Sequence, residues 1–237
     1  TRVTVPHPWL LAPFEGPRAT AEALSLLPSA PWLLATSAVA GHPVLAVPGL
    51  SGGNAWTVVL RRFLAIKGYA VHTPDKGTMR GAHATVVARL ADRVSELASE
   101  AGQPVSIIGW SVGGAFTRQV ALAQPESVRS LITLGAPLSG SWYPDGSAAG
   151  GPLPVPTTAI YSRTDGTFDW RRCVQRPGPM TENVEIVSSH LGMATNPMTV
   201  HVVADRLGQA DGRWRPYYSA WHLGEADRSP GEQRPAQ

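Results

Sequence analysis

Ser111 stands between two glycines in Gly109-Trp110-Ser111-Val112-Gly113, a G-x-S-x-G pattern. The β-branched run Val105, Ile107, Ile108 precedes it and the small residues Gly114 and Ala115 follow. A strand that delivers a serine straight into a helix forms a nucleophile elbow, a strained turn that pushes the hydroxyl forward. Side chains at 109 or 113 would collide with the neighbouring strand or helix, which is why both are glycine. A serine alcohol is a weak nucleophile at neutral pH, so it needs a base within hydrogen-bond reach and a third group to orient that base. Asp165, in YSRTDGTFDW, and His190, in VSSHLGM, each follow an expected strand, giving the chain order Ser, Asp, His. Gly166 permits a sharp turn beside Asp165; Asp169 is a rival for the acid, and Asp165 could instead be a turn former. His7, His42, His72, His83, His201 and His222 compete with His190, but only His190 follows a strand that itself follows the acid strand. His201 falls within a helix pattern and reads as structural.

These residues need a scaffold that brings them together. Apolar runs bounded by Gly and Pro predict strands at 44–47, 69–73, 105–108, 128–134, 157–162 and 184–187. Amphipathic patterns predict helices at 84–101, 112–123 and 197–207, and another begins at Asn54 as N-cap, runs through Trp56, Val59, Leu60, Phe63 and Leu64, and stops at Gly68. Alternation of strands and helices implies a parallel sheet covered on both faces, whose strand carboxyl ends collect the reactive groups. The prolines at 6, 8, 13, 17, 28 and 31 bracket a short helix at 18–27. Three segments result: an N-terminal arm (1–41) packing on the domain, a catalytic core (42–208), and a C-terminal extension (209–237). In the extension, Trp214, Tyr217, Tyr218 and Trp221 are placed to dock on the core, and the end beyond Glu225 reads as disordered.

Composition narrows the function classes. The chain has 237 residues, 43% hydrophobic and 16% charged, which suits one globular domain. Its formal charge of +3 comes almost wholly from scattered arginines, Lys67 and Lys76 being the only lysines, and no basic run interleaved with aromatics points to nucleic acid. The longest apolar stretch, residues 32–40, is too short to cross a bilayer. A single cysteine, Cys173, excludes an internal disulfide and multi-cysteine metal sites, and reads as a buried small hydrophobe. No histidine pair has metal-ligand spacing beside a carboxylate, and there is no phosphate loop or dinucleotide fingerprint, so no cofactor is expected. The chain begins at Thr1, which reads as a trimmed or processed start, and no signal-peptide pattern follows it. The compartment, cytoplasmic or secreted, and the oligomeric state stay open.

With the elbow and the Ser, Asp, His order in place, residues 43–207 resemble the α/β-hydrolase superfamily, in particular its bacterial serine esterase and lipase branch. That resemblance implies an α/β fold with a mostly parallel central sheet, helices on both faces and no large helical lid. It also implies that Ser111 attacks an ester carbonyl, that His190 takes its proton and returns it to the leaving alcohol, that Asp165 holds the imidazolium, and that water hydrolyses the acyl-enzyme. Val112 N–H, at the start of a helix, supplies one oxyanion donor. The family places the second in a His-Gly-x loop after the first strand; this chain has Pro48-Gly49-Leu50, so Leu50 N–H takes that role. Trp110, Trp56 and Trp142 are candidates to line the substrate pocket, as is Trp170. Loop 135–156, where the superfamily places caps, is rich in Gly, Pro and Ser without a helix pattern, implying an open cleft for short to medium acyl esters or polyester chains. An acyltransferase using the same three residues, or a non-catalytic binding domain on the same scaffold, are the competing functions.

Overall fold

A strand covered by helices on both faces must be apolar on both sides, and β1 (Pro43–Val47) and β3 (Val105–Trp110) are buried at every position. A computed structural model of the chain describes residues 7–49, 57–75, 77–139 and 151–217. The remaining strands are β2 (Ala70–His72), β4 (Val128–Leu134), β5 (Thr157–Tyr161) and β6 (Thr181–Glu185). They form one sheet in the order β2-β1-β3-β4-β5-β6, and every neighbouring pair runs parallel. The helices are α1 (Pro8–Leu11), α2 (Glu15–Leu34), α3 (Val58–Ile66), α4 (His83–Ala101), α5 (Val112–Ala123) and α6 (Pro197–Leu207).

Alternate residues along each strand serve opposite faces. Val44, Ile108, Ile132 and Ile160 pack with Leu33 of α2, Leu60 and Leu64 of α3, and Val203 and Leu207 of α6. Leu45, Val47, Ile107 and Leu131 pack with Val86, Leu90 and Val94 of α4 and Phe116 and Val120 of α5. The core is therefore two apolar layers with the sheet between them. In the described parts of the 135–156 segment no helix stands between β4 and β5.

Three elements depart from the pattern-based expectation. α3 begins at Val58 with Thr57 at its N-cap, whereas the expected cap, Asn54, lies outside the described residues. β6 begins at Thr181 and ends at Glu185, because Thr181 pairs with Thr157 at the edge of the sheet and Val187, expected within the strand, is 80% exposed. The short helix expected at 18–27 is the middle of the 20-residue α2, with Pro28 and Pro31 inside it. Proline removes the bond to the carbonyl four residues back. The carbonyls so deprived belong to Leu24 and Leu27, whose side chains are exposed, while beyond them Leu33 is buried and Trp32 stacks on His201 of α6 at 4.1 Å. Packing holds the last turns against the local penalty. Of the C-terminal extension, 209–217 is described: Tyr217 accepts or donates at His201 Nδ1 (3.1 Å) and lies beneath the Arg206 guanidinium. Tyr218 and Trp221 lie outside the described residues.

Candidate active site

β3 ends at Trp110 and α5 begins at Val112, so Ser111 alone makes the turn. It has φ 57° and ψ −134°, and it is the one non-glycine residue with positive φ among the described residues. Such a backbone costs on the order of 1–3 kcal/mol and persists only where its surroundings fix it. Here Ser111 N–H donates to the Leu134 carbonyl of β4 (2.8 Å), and Gly114 N–H donates to the Ser111 carbonyl (2.9 Å). The flanking glycines leave no alternative: a methyl on Gly109 would lie 2.5 Å from Gly114 Cα, and one on Gly113 would lie 2.4 Å from the Pro48 carbonyl oxygen.

The loops after β5 and β6 bring Asp165 and His190 to the same end of the sheet. His190 Nδ1 is 2.7 Å from Asp165 Oδ2, and His190 Nε2 is 3.0 Å from Ser111 Oγ. An ionised carboxylate only accepts, so Nδ1 carries the proton and Nε2 is left to accept from the serine hydroxyl. All three side chains are buried. Asp165 Oδ1 is held in turn by Thr167 N–H (2.7 Å) and Phe168 N–H (2.9 Å). The Phe168 ring and the imidazole meet in a T-shaped pair with centroids 5.2 Å apart. Asp169 is engaged elsewhere: its Oδ1 accepts from Arg171 N–H at 3.0 Å and caps the short 3₁₀ turn Trp170–Arg172.

Trp110 is buried, and its indole N–H donates to the His190 carbonyl (3.2 Å), so the ring braces the histidine loop from within the core. Val112 is the first residue of α5, where amides lack an intrahelical acceptor and the helix dipole is positive. Gly49 reaches over the elbow, where a methyl would lie 3.0 Å from Ser111 Cβ. Leu50, Trp56 and Trp142 lie outside the described residues.

Two groups absent from the sequence reading belong to this site. Glu15 of α2 accepts from Gly166 N–H through Oε1 (2.8 Å) and from Leu191 N–H through Oε2 (2.8 Å). Glu22, one heptad on, accepts from Ser189 N–H (2.7 Å) and from Ser188 Oγ–H (2.7 Å). The signal available in the sequence was their seven-residue spacing, which puts both carboxylates on one face of a helix.

No protein-family model matches the chain. Among curated proteins it is similar to pimeloyl-[acyl-carrier protein] methyl ester esterases of Yersinia pseudotuberculosis and Yersinia pestis, 35% identical over 89 residues, or 37% of this chain. The chain spans 33% of the length of those relatives. Among solved structures, Aspergillus fumigatus lipase B superposes with a TM-score of 0.62 at 16% identity, covering 74% of this chain and 54% of the lipase. A pyrethroid hydrolase gives 0.54 at 18% identity, covering 70% of this chain and 96% of that enzyme, and the thioesterase domain from the curacin biosynthetic pathway gives 0.52 at 16%, covering 71% and 93%. The chain has the α/β-hydrolase fold.

Within this α/β-hydrolase fold the lone cysteine stands just behind the acid loop. Cys173 is buried, and burial first, then the charges of Asp165 and Asp169, push its thiol well above the ordinary range, so it stays protonated and inert. A groove of about 450 Å³ at the amino ends of the strands is lined by residues such as Gln103, Arg129, Pro156 and Trp214. Ser111, His190 and Asp165 stand together at the other end of the sheet. Among the described residues no cluster of His, Cys, Asp or Glu could hold a metal ion, and no helix is long and apolar enough to cross a membrane.

Proposed function

We propose that the chain hydrolyses carboxylic esters through Ser111, His190 and Asp165 by way of an acyl-enzyme. The observation that carries this reading is the continuous line from Ser111 Oγ to His190 Nε2 (3.0 Å) and from His190 Nδ1 to Asp165 Oδ2 (2.7 Å) at a strained elbow. As Ser111 Oγ bonds to the ester carbonyl carbon, its proton passes to Nε2, and the buried Asp165 carboxylate stabilises the imidazolium and fixes its tautomer. Negative charge then develops on the carbonyl oxygen. Val112 N–H, at the positive end of α5, and Leu50 N–H, next after Gly49, are the two donors to it. Collapse expels the alcohol, which takes the proton from Nε2. Water, deprotonated by the same nitrogen, then releases the acid and restores the serine.

The names of the similar proteins, an ester esterase and a lipase among them, favour ester chemistry over other uses of the fold. The described parts of the 135–156 segment carry no helix, which supports an open cleft and substrates such as short to medium acyl esters or polyester chains. Trp142 and Trp56 are assigned to the acyl pocket, with Trp110 supporting it from behind.

The test is a chain-length series of chromogenic esters with the wild type and Ser111→Ala, together with labelling by a fluorophosphonate. Hydrolysis and stoichiometric labelling that both vanish in Ser111→Ala are the expected result. Labelling that survives the substitution overturns the assignment, and an ester product that dominates when a primary alcohol competes with water converts the reading to an acyltransferase.

A further inference from the structure

We infer that Glu15 and Glu22 are positioning residues, which hold the acid loop and the histidine loop in mutual register from the N-terminal helix. The inference rests on the roles proposed above for Ser111, His190 and Asp165. Those roles require two loops, whose key residues are 25 positions apart, to keep a carboxylate and an imidazole at 2.7 Å. The loops come from adjacent strands, and a strand fixes only where its loop begins.

Glu15 bridges the loops with one side chain. It is 5% exposed, and a carboxylate so buried must spend its lone pairs on hydrogen bonds. One oxygen takes Gly166 N–H, the amide after Asp165, and the other takes Leu191 N–H, the amide after His190. Glu22 takes Ser189 N–H, the amide before His190. The peptide units on both sides of the histidine are thus tied to α2. Arg18, between the two acids on the same helix, donates to the Thr164 carbonyl (2.7 Å) and to Thr164 Oγ1 (2.9 Å), gripping the acid loop just before Asp165. The contact is as close as backbone permits: a methyl on Gly166 would lie 2.7 Å from Glu15 Oε1, and one on Gly192 would lie 2.1 Å from Glu22 Oε2. Neither carboxylate touches the reacting atoms, so their effect reaches the chemistry only through Asp165 and His190.

Glu15→Gln keeps the shape but turns one acceptor into an NH₂ donor facing an amide N–H, which breaks one of the two bridges. Turnover of a chromogenic ester should fall by about 10²-fold, the effect of a misplacement of about 1 Å, with KM little changed and fluorophosphonate inactivation slowed in parallel. In the Asp165→Asn background Glu15→Gln should cost almost nothing more, because a positioning residue has no further effect once its target is lost. Leu33→Ala, in the same helix and far from the loops, should lower Tm and leave kcat intact. Because the buried Glu15 variant could fail to fold, Glu22→Gln on the partly buried half of the clamp is the second variant, with a smaller drop in kcat and an unchanged Tm expected. Wild-type turnover in both Gln variants overturns the inference. So does a full additional loss in the Asp165→Asn background, or a loss of kcat in Leu33→Ala that matches its loss of Tm. If Ser111→Ala still hydrolyses the ester, the site assignment itself fails; if Ser111→Ala is dead while both Gln variants turn over normally, only the role of α2 fails.

Discussion

The elbow and the acid–histidine pair are held by opposite means. Around Ser111 the constraints are mainly steric: two glycines with no room for a methyl, one strained backbone residue and a strand–helix junction, with a backbone hydrogen bond to Leu134. Around Asp165 and His190 the constraints are polar and distant, with carboxylates at positions 15 and 22 holding amides 151 to 176 residues away. Steric constraints are all-or-none, whereas a hydrogen-bonded clamp can weaken by degrees. The serine side of the site should therefore fail by misfolding, and the histidine side by loss of rate in a folded protein.

The largest effect tests the proposed chemistry on both sides at once. Ser111→Ala should lower ester turnover by about 10⁴-fold or more, to the level left by binding and the oxyanion donors alone, as measured by single-turnover kinetics. On the histidine side, Asp165→Asn should preserve the fold and lower kcat by on the order of 10⁴, since an asparagine favours the wrong tautomer. Asp169→Asn should leave turnover near normal, and Asp169→Ala should remove about 1 kcal/mol of stability with its cap, read by urea unfolding. Collapse of activity in Asp169→Asn with near-normal Asp165→Asn would reverse the two aspartates. On the serine side, Gly113→Ala should cost about 1–3 kcal/mol in the same urea assay, because a methyl 2.4 Å from the Pro48 oxygen forces backbone to move. A Gly113→Ala protein as stable as the wild type would remove the steric half of the comparison.

The smallest effect lies outside both regions. Burial above all holds His42, His72 and His201 below the ordinary histidine pKa of 6.5. The unfolded chain therefore binds more protons than the folded one as pH falls through 6.5 and on toward the lowered folded values, so stability should decline across that window and level off below it. Urea midpoints measured from pH 7.5 to 5 should fall, and His42→Gln should flatten the slope. A midpoint that rises on acidification would contradict the sign.

The same contrast explains what could be read from the chain. The sheet was legible because its strands are buried on both faces and so form apolar runs, as at Val44–Val47 and Ile107–Ile108, and the elbow was legible because glycines beside a serine mark a local steric demand. The length of α2 was not, since Pro28 and Pro31 are outweighed by the distant contacts of Trp32 and Leu33. Glu15 and Glu22 were not legible as members of the site either, because a glutamate in an amphipathic helix resembles any solvated charge until its amide partners are known. Sequence shows what neighbours in the chain require of each other; it does not show which remote backbone a carboxylate will meet.

The clamp formed by α2 has a consequence for the order in which the chain matures. The helix is made well before the histidine loop that carries its amide partners, at sequence separations of 167 and 176. Closing loops of that size weights the topology toward non-local contacts, which form slowly. The β3–α5 junction can take shape as soon as it is synthesised, so a nascent chain would carry its nucleophile well before it could use it. On refolding from denaturant, burial of the core should be detectable before hydrolytic competence returns, and that lag would time the docking of α2 on the histidine loop.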